Sequence, residues 1–272
     1  MIWASRLIYR NFRYWERAAQ IAFVLALVLI GFGVLLMFAA PAEQRVTIVT
    51  GLGALILVAQ GIVLWANRGM VTVFTQAQRR YLAGDLEGAL HLLETARSEG
   101  RADVRTLTLL GTTYRQFGRL SESEAVLYEA LDKDPTAHFP LYNLGRTMLS
   151  AGRYQDALKV LEQSIAAGAP VSAQFDAAEA LAWLGEAERA AERVREFGGA
   201  WQEPYRRMAA ALWLFERGQG EPPSPDLIRD GLPYWQAAAQ RFAHTPYGTV
   251  IQAHILVPMQ VIMEGEGNPN VR

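Results

Sequence analysis

A repeat period of 34 residues restricts the fold of this chain more than any other feature. Gly84, Gly118 and Gly152 stand 34 apart, and the same step carries Ala89, Ser123, Ala157 and Ala191. It also carries Leu93, Leu127 and Leu161, and then Ala96, Ala130 and Ser164. Leu110-Gly111 returns as Leu144-Gly145, Tyr114 is matched by Met148, and Pro135 and Pro170 close successive units, the second one place late. A unit this short cannot bury its own apolar face. It has to stack on its neighbours, so the period predicts a solenoid.

The columns have a mechanical reading. Each unit is two antiparallel helices, with the glycine at the turn, where a residue without Cβ tolerates the left-handed conformation. The small residues at 89, 123, 157 and 191 sit where the second helix presses on the first, the leucines fill the space between units, and proline ends the second helix. This constellation resembles the tetratricopeptide repeat family, well over residues 104–170, fairly over 70–103 and poorly beyond 171. In the first unit Arg80 stands at the family's aromatic position, and in the fourth Glu186 and Arg195 replace the turn glycine and the leucine. The units are placed at about 70–103, 104–137, 138–171 and 172–200. Degenerate or capping helices follow over 201–264, with Pro233 and Pro258 as kinks or breaks, then a tail over 265–272.

Ahead of the repeats, Ile21–Ala40 and Val46–Ala66 contain no charged residue. Twenty such residues cover about 30 Å as a helix, the thickness of a bilayer's hydrocarbon. The five residues between them, Pro41 to Arg45, predict a transmembrane hairpin over 21–66, and Gly31, Gly33, Gly51 and Gly53 would let the two backbones approach. The expected fold class is therefore all-α: a two-helix transmembrane hairpin followed by a tetratricopeptide-like α-solenoid. Arg6, Arg10, Arg13 and Arg17 precede the first run and Arg68, Arg79 and Arg80 follow the second, which puts both termini and the repeats in the cytoplasm. Over residues 1–20 those four arginines form one stripe of a helix opposite Ile8, Phe12, Trp15 and Ala19, with Trp3 suited to the headgroup level. This pattern fits an interfacial amphipathic helix; the plainer reading is a basic collar that only sets orientation. Cleavage near Ala40-Pro41-Ala42 is the rival to the hairpin, but the apolar run is long and late for a signal peptide.

Function classes fall away by composition. With a net charge of −1 the chain lacks the basic excess of a nucleic-acid binder, and with no cysteine it has no thiolate metal site or thiol nucleophile. His91, His138, His244 and His254 have no partner at metal-ligand spacing, and no phosphate-cradling or hydrolase motif occurs. No cofactor, metal, small-molecule substrate or catalytic residue is expected, and the acidic residues read as solvated helix surface.

In tetratricopeptide solenoids the first helices line a concave groove that takes a peptide. The resemblance places Gln78 and Tyr81 there from the first unit and Arg105, Thr108, Thr112 and Arg115 from the second. Tyr142, Asn143, Arg146 and Leu149 come from the third. Arginines with an asparagine resemble, in part, the carboxylate-gripping groove of chaperone-binding members, although Phe74 and Gln78 replace that motif's lysine and asparagine in the first unit. The bland alternative makes these arginines ordinary solvated residues; neither Arg105 nor Arg146 lies in a packing column. The expected function is a membrane-anchored scaffold that docks other proteins, with the bilayer as its second partner, for assembly or quality control of a membrane complex. The alternatives are an accessory subunit of a membrane enzyme or transporter, with Gln60 as an interhelix contact, and an extracytoplasmic chaperone-like module.

Overall fold

The computed structural model describes Phe12, residues 17–67 and residues 72–266. Arg6, Arg10, Arg13, Trp3 and Trp15 lie outside these residues, so the interfacial helix does too; Arg17 opens the first described helix. All regular structure among the described residues is helical, and the chain forms two compact units, residues 1–72 and 73–272.

The first unit is a hairpin of α1 (Arg17–Ala39) and α2 (Ala42–Asn67). Its turn is shorter than the expected five residues, because Ala42, Glu43 and Gln44 already belong to α2. Pro41, which has no N–H to leave unsatisfied, sits just before the first turn and its carbonyl accepts from the Gln44 N–H at 3.0 Å. The helices meet along Ala19, Phe23 and Ala26 of α1 and Ala59 of α2. Of the four glycines expected at the contact only Gly33 is there: a Cβ on it would fall 2.7 Å from Leu52, whereas Gly31, Gly51 and Gly53 face open space. Gln60 is also exposed on α2. Both helices are long and apolar enough to cross a bilayer, yet only 11% and 6% of their most apolar stretches are buried. A core helix of a soluble protein would bury most of that surface.

The second unit begins with four helix pairs. They are α3 (Val73–Leu82) with α4 (Leu86–Ser98), α5 (Val104–Gln116) with α6 (Leu120–Lys133), α7 (His138–Ser150) with α8 (Tyr154–Ala166), and α9 (Ser172–Trp183) with α10 (Ala187–Phe197). Turn geometry explains the register. Gly152 has φ +78°, and the Arg153 N–H reaches back to the Met148 carbonyl at 2.9 Å, closing α7. The fourth unit has not lost this device. Gly185, one place ahead of the column, has φ +79°, and the Glu186 N–H bonds the Leu181 carbonyl at 2.9 Å, so α9 is simply one residue short.

Ala89, Ser123, Ala157 and Ala191 are completely buried. The leucines do more than separate units: a Cβ on Gly111 or Gly145 would lie 2.6 Å from Leu127 or Leu161, so each leucine also seats on the glycine of its own unit. Ala157→Leu is therefore expected to destabilise the solenoid by about 1–3 kcal/mol through overpacking. The same change at exposed Gln163 should leave thermal melts unmoved; equal melts for the two would put the register wrong.

First helices of successive pairs touch each other directly, α3 with α5, α5 with α7 and α7 with α9, while second helices hardly meet. The first helices thus line the inner side of the curve. After a short 3₁₀ turn come α11 (Pro204–Phe215), α12 (Pro225–Arg241), α13 (Pro246–Ile251) and α14 (Val257–Glu266). α11 starts at Pro204 rather than Trp201, with proline in the first turn; Trp201 instead buries its ring edge-on to Phe175 and donates to the Val171 carbonyl at 3.3 Å. Pro233 does not break α12, because it is exposed and frees only the carbonyl of exposed Arg229. Pro258 does have an effect. It offers no N–H to His254, and Gln252–Leu256 adopt a π turn joining α13 to α14.

Candidate partner-binding groove

On the inner side, Gln78 is exposed on α3, and Tyr81 accepts a hydrogen bond from Gln116 Nε2 at 3.1 Å. Arg105 is exposed on α5 with its guanidinium 4.1 Å above the Phe74 ring. Thr108 is buried and returns its hydroxyl to the Val104 carbonyl at 2.6 Å, so it has no proton left for a ligand. Arg115, Thr112 and Asn143 form one network across α5 and α7. Arg115 donates to the Asn143 carbonyl at 3.1 Å and to Asn143 Oδ1 at 3.2 Å, and the Thr112 hydroxyl lies 2.9 Å from the same Oδ1. Burial, aided by the nearby charge of Arg146, lowers the Arg115 guanidinium to about 10, which leaves it cationic at neutral pH.

Arg146 belongs to a different environment. Its Nε lies 3.5 Å from Asp176 Oδ2, its Nη2 donates to the Tyr234 hydroxyl at 3.2 Å, and its guanidinium is 5.8 Å from the Tyr142 ring centre. Asp176 is 2% exposed. Tyr234 comes from α12 and stacks on Tyr205 at 3.7 Å. One turn along α9, the equally buried Glu179 accepts from Tyr247 of α13 at 2.6 Å and from Trp183 Nε1 at 3.1 Å. A Cβ on Gly152, just beyond α7, would strike Pro246. The C-terminal helices therefore lie over the inner faces of α7 and α9 and cover Tyr142 and Leu149, which are 9% and 2% exposed.

Arg105, Asn143 and Arg146 thus do not share one open patch: Arg105 stacks on Phe74, Asn143 serves Arg115 and Thr112, and Arg146 is taken by the C-terminal seam. Asp176 and Glu179 are also not solvated acids. Their neighbours Phe175, Ala177, Ala178 and Ala180 are small or apolar and buried, which is the trace this left in the sequence. Tyr234 and Tyr247 left none, because they lie outside the repeat. Among the described residues no three of His, Asp and Glu are grouped so as to hold a metal ion.

Charge is divided between the two rows of helices. The first helices α3, α5 and α7 carry Arg79, Arg80, Arg105, Arg115 and Arg146 and no carboxylate. The second helices α4, α6 and α8 carry Glu87, Glu94, Glu122, Glu124, Glu129, Asp132, Asp156 and Glu162 against only Arg97, Lys133 and Lys159.

Residues 141–170, which span most of α7 and all of α8, match the family model of the tetratricopeptide repeat. That stretch is a tetratricopeptide repeat. Two solved structures illustrate the likeness. A crystal structure of MamA aligns at TM-score 0.45 and 20% identity, over 61% of this chain and 93% of that one. TTC0263, a thermophilic tetratricopeptide repeat protein in Thermus thermophilus, aligns at TM-score 0.48 and 18% identity, over 71% and 96%. No curated protein matches the sequence.

Proposed function

We propose that this chain is a membrane-anchored docking protein without catalysis of its own. In this reading α1 and α2 sit in the bilayer with both termini in the cytoplasm, and the repeats present a basic strip to acidic segments of partner proteins. The observation that carries the docking surface is the charge division. Of the first helices, α3, α5 and α7 bear cations and no carboxylate, and the C-terminal helices cover the α7–α9 half while Gln78 and Arg105 stay exposed on α3 and α5. Guanidinium groups grip carboxylates through paired hydrogen bonds, and a strip free of carboxylates does not repel them. Anchoring is supported by the apolar surface that α1 and α2 leave uncovered and by the arginines flanking the two runs.

The test uses the full chain in its membrane. It should resist alkaline extraction and leave the membrane only with detergent. A photo-crosslinker at Gln78 should capture partners that one at Glu129, on the second-helix row, does not. Arg105→Glu should weaken the captured complex by about fivefold at low salt, an exposed pair being worth less than about 1 kcal/mol, and the difference should shrink as salt is added. Equal capture from both positions would sink the groove reading.

Gln60 favours a second reading, an accessory subunit of a membrane complex. An uncharged polar side chain on the outer face of an apolar helix is best satisfied by a neighbouring membrane helix. Loss of a co-purifying membrane protein on Gln60→Leu, with capture at Gln78 unchanged, would select it.

A further inference from the structure

At the C-terminal end of α9, away from α3 and α5, a cleft of about 410 Å³ opens between α9, α10, α11, α13 and the π turn. The small residues Ala182, Gly185, Ala187 and Ala190 leave the room. Two indoles line it, Trp183 and Trp213, with ring centres 5.9 Å apart and edge-to-face at 88°. Both are held from behind. Trp183 donates to Glu179 at 3.1 Å, and Trp213 stacks on buried Phe175 at 5.6 Å. The π turn that Pro258 imposes sets His254 into the lining, its ring 6.1 Å from Trp183. Such turns are frequent at functional sites.

The charge in this cleft is not spent. Arg217 also lines it, but its guanidinium is bonded to Glu188 at 2.5 Å. Glu216 also lines the cleft; among the described residues its carboxylate makes no hydrogen bond or salt bridge, and His254 is the one group in the lining whose charge favours it. Indole faces carry negative quadrupole charge, and a carboxylate beside them adds a full one, so both select for positive charge with an apolar surface. A strongly hydrated metal cation would gain little from indoles. From this cleft we propose a binding site for a small organic cation, a quaternary ammonium or a protonated alkylamine, between Trp183, Trp213 and Glu216. The site is independent of partner docking on α3 and α5.

The full chain, purified in an uncharged detergent and labelled with nitrogen-15 at its tryptophans, is titrated with tetramethylammonium chloride. Sodium chloride at equal ionic strength and tert-butanol, a neutral molecule of similar shape, serve as controls. The indole N–H signals of Trp183 and Trp213 should shift saturably with tetramethylammonium and not with sodium, while those of Trp201 and Trp235 stay in place. Glu216→Gln should weaken the affinity about tenfold, and Trp183→Leu, though its melt falls with the lost bond to Glu179, should abolish the response at Trp213 in the folded chain. Equal affinity for tert-butanol, or a Glu216→Gln variant that binds as the wild type does, would overturn the proposal. So would the absence of saturable shifts in a folded chain.

Discussion

Replacing Arg146 with alanine is expected to cost the repeat unit about 3 kcal/mol. That is the lower end of the range for breaking a buried ion pair, chosen because a quarter of the Arg146 side chain is still exposed. The cost comes less from the lost bond than from what is left behind. Asp176 is 3% exposed at its side chain and its Oδ2 has no hydrogen-bond partner, so its burial relies on Arg146, the cation paired with it, with Arg206 as a second nearby charge. The Tyr234 hydroxyl loses its donor as well. Arg105→Ala, whose guanidinium only stacks on Phe74 at the surface, should change stability by no more than about 0.5 kcal/mol. Adding Asp176→Asn to Arg146→Ala should recover part of the loss, because a buried amide is far cheaper than a buried carboxylate. Urea melts followed by circular dichroism would check the three variants. A melt of Arg146→Ala no lower than that of Arg105→Ala would show that Asp176 is not held by this pair.

That contrast marks where the sequence is legible. The columns at Ala89, Ser123, Ala157 and Ala191 report close helix contacts that recur at every unit, so periodicity alone reveals them. Gly185 is nearly legible: the column points to 186, and a one-residue shortening of α9 moves the turn. Arg146 is a different matter. It stands on a first helix as Arg105 and Arg115 do, and nothing local separates a groove residue from one sealed by α12. The distinction depends on Tyr234, 88 residues away in a segment with no repeat. The burial of Asp176 and Glu179 is hidden for the same reason, since an acid on an amphipathic helix is solvated unless some distant element covers it. The hairpin of α1 and α2 is legible because length and uniform apolarity are properties of the segments themselves. Which glycines touch is not, because that depends on how the two helices are rotated about their axes.

Glu179 gives the second large effect, and it is one of pH. Burial first, and then the neighbouring carboxylate of Asp176, push its carboxyl up to about 7, despite hydrogen bonds from Tyr247 and Trp183 that favour the charged form. Against the ordinary 4.5 of an unfolded glutamic acid, this corresponds to about 3 kcal/mol. The folded state holds the proton more tightly than the unfolded state, so protonation stabilises the fold. The contribution is complete below about pH 4.5, declines as the pH rises between 4.5 and about 7, and is gone above that. Other carboxylates titrate in the same range, so the informative quantity is the difference between wild type and Glu179→Gln, which carries an uncharged side chain of the same shape at every pH. The two should be close in stability near pH 5, and the variant should become more stable by up to about 3 kcal/mol toward pH 8. Tyr247→Phe should act in the opposite sense. With its hydroxyl gone, the ionised carboxylate loses a donor at 2.6 Å, and the decline with pH should extend to higher pH and become larger than in the wild type. Parallel pH profiles for wild type and Glu179→Gln would mean that the Glu179 carboxyl is not raised toward neutrality in the folded chain. The seam between α9 and α13 would then contribute no pH dependence through this residue.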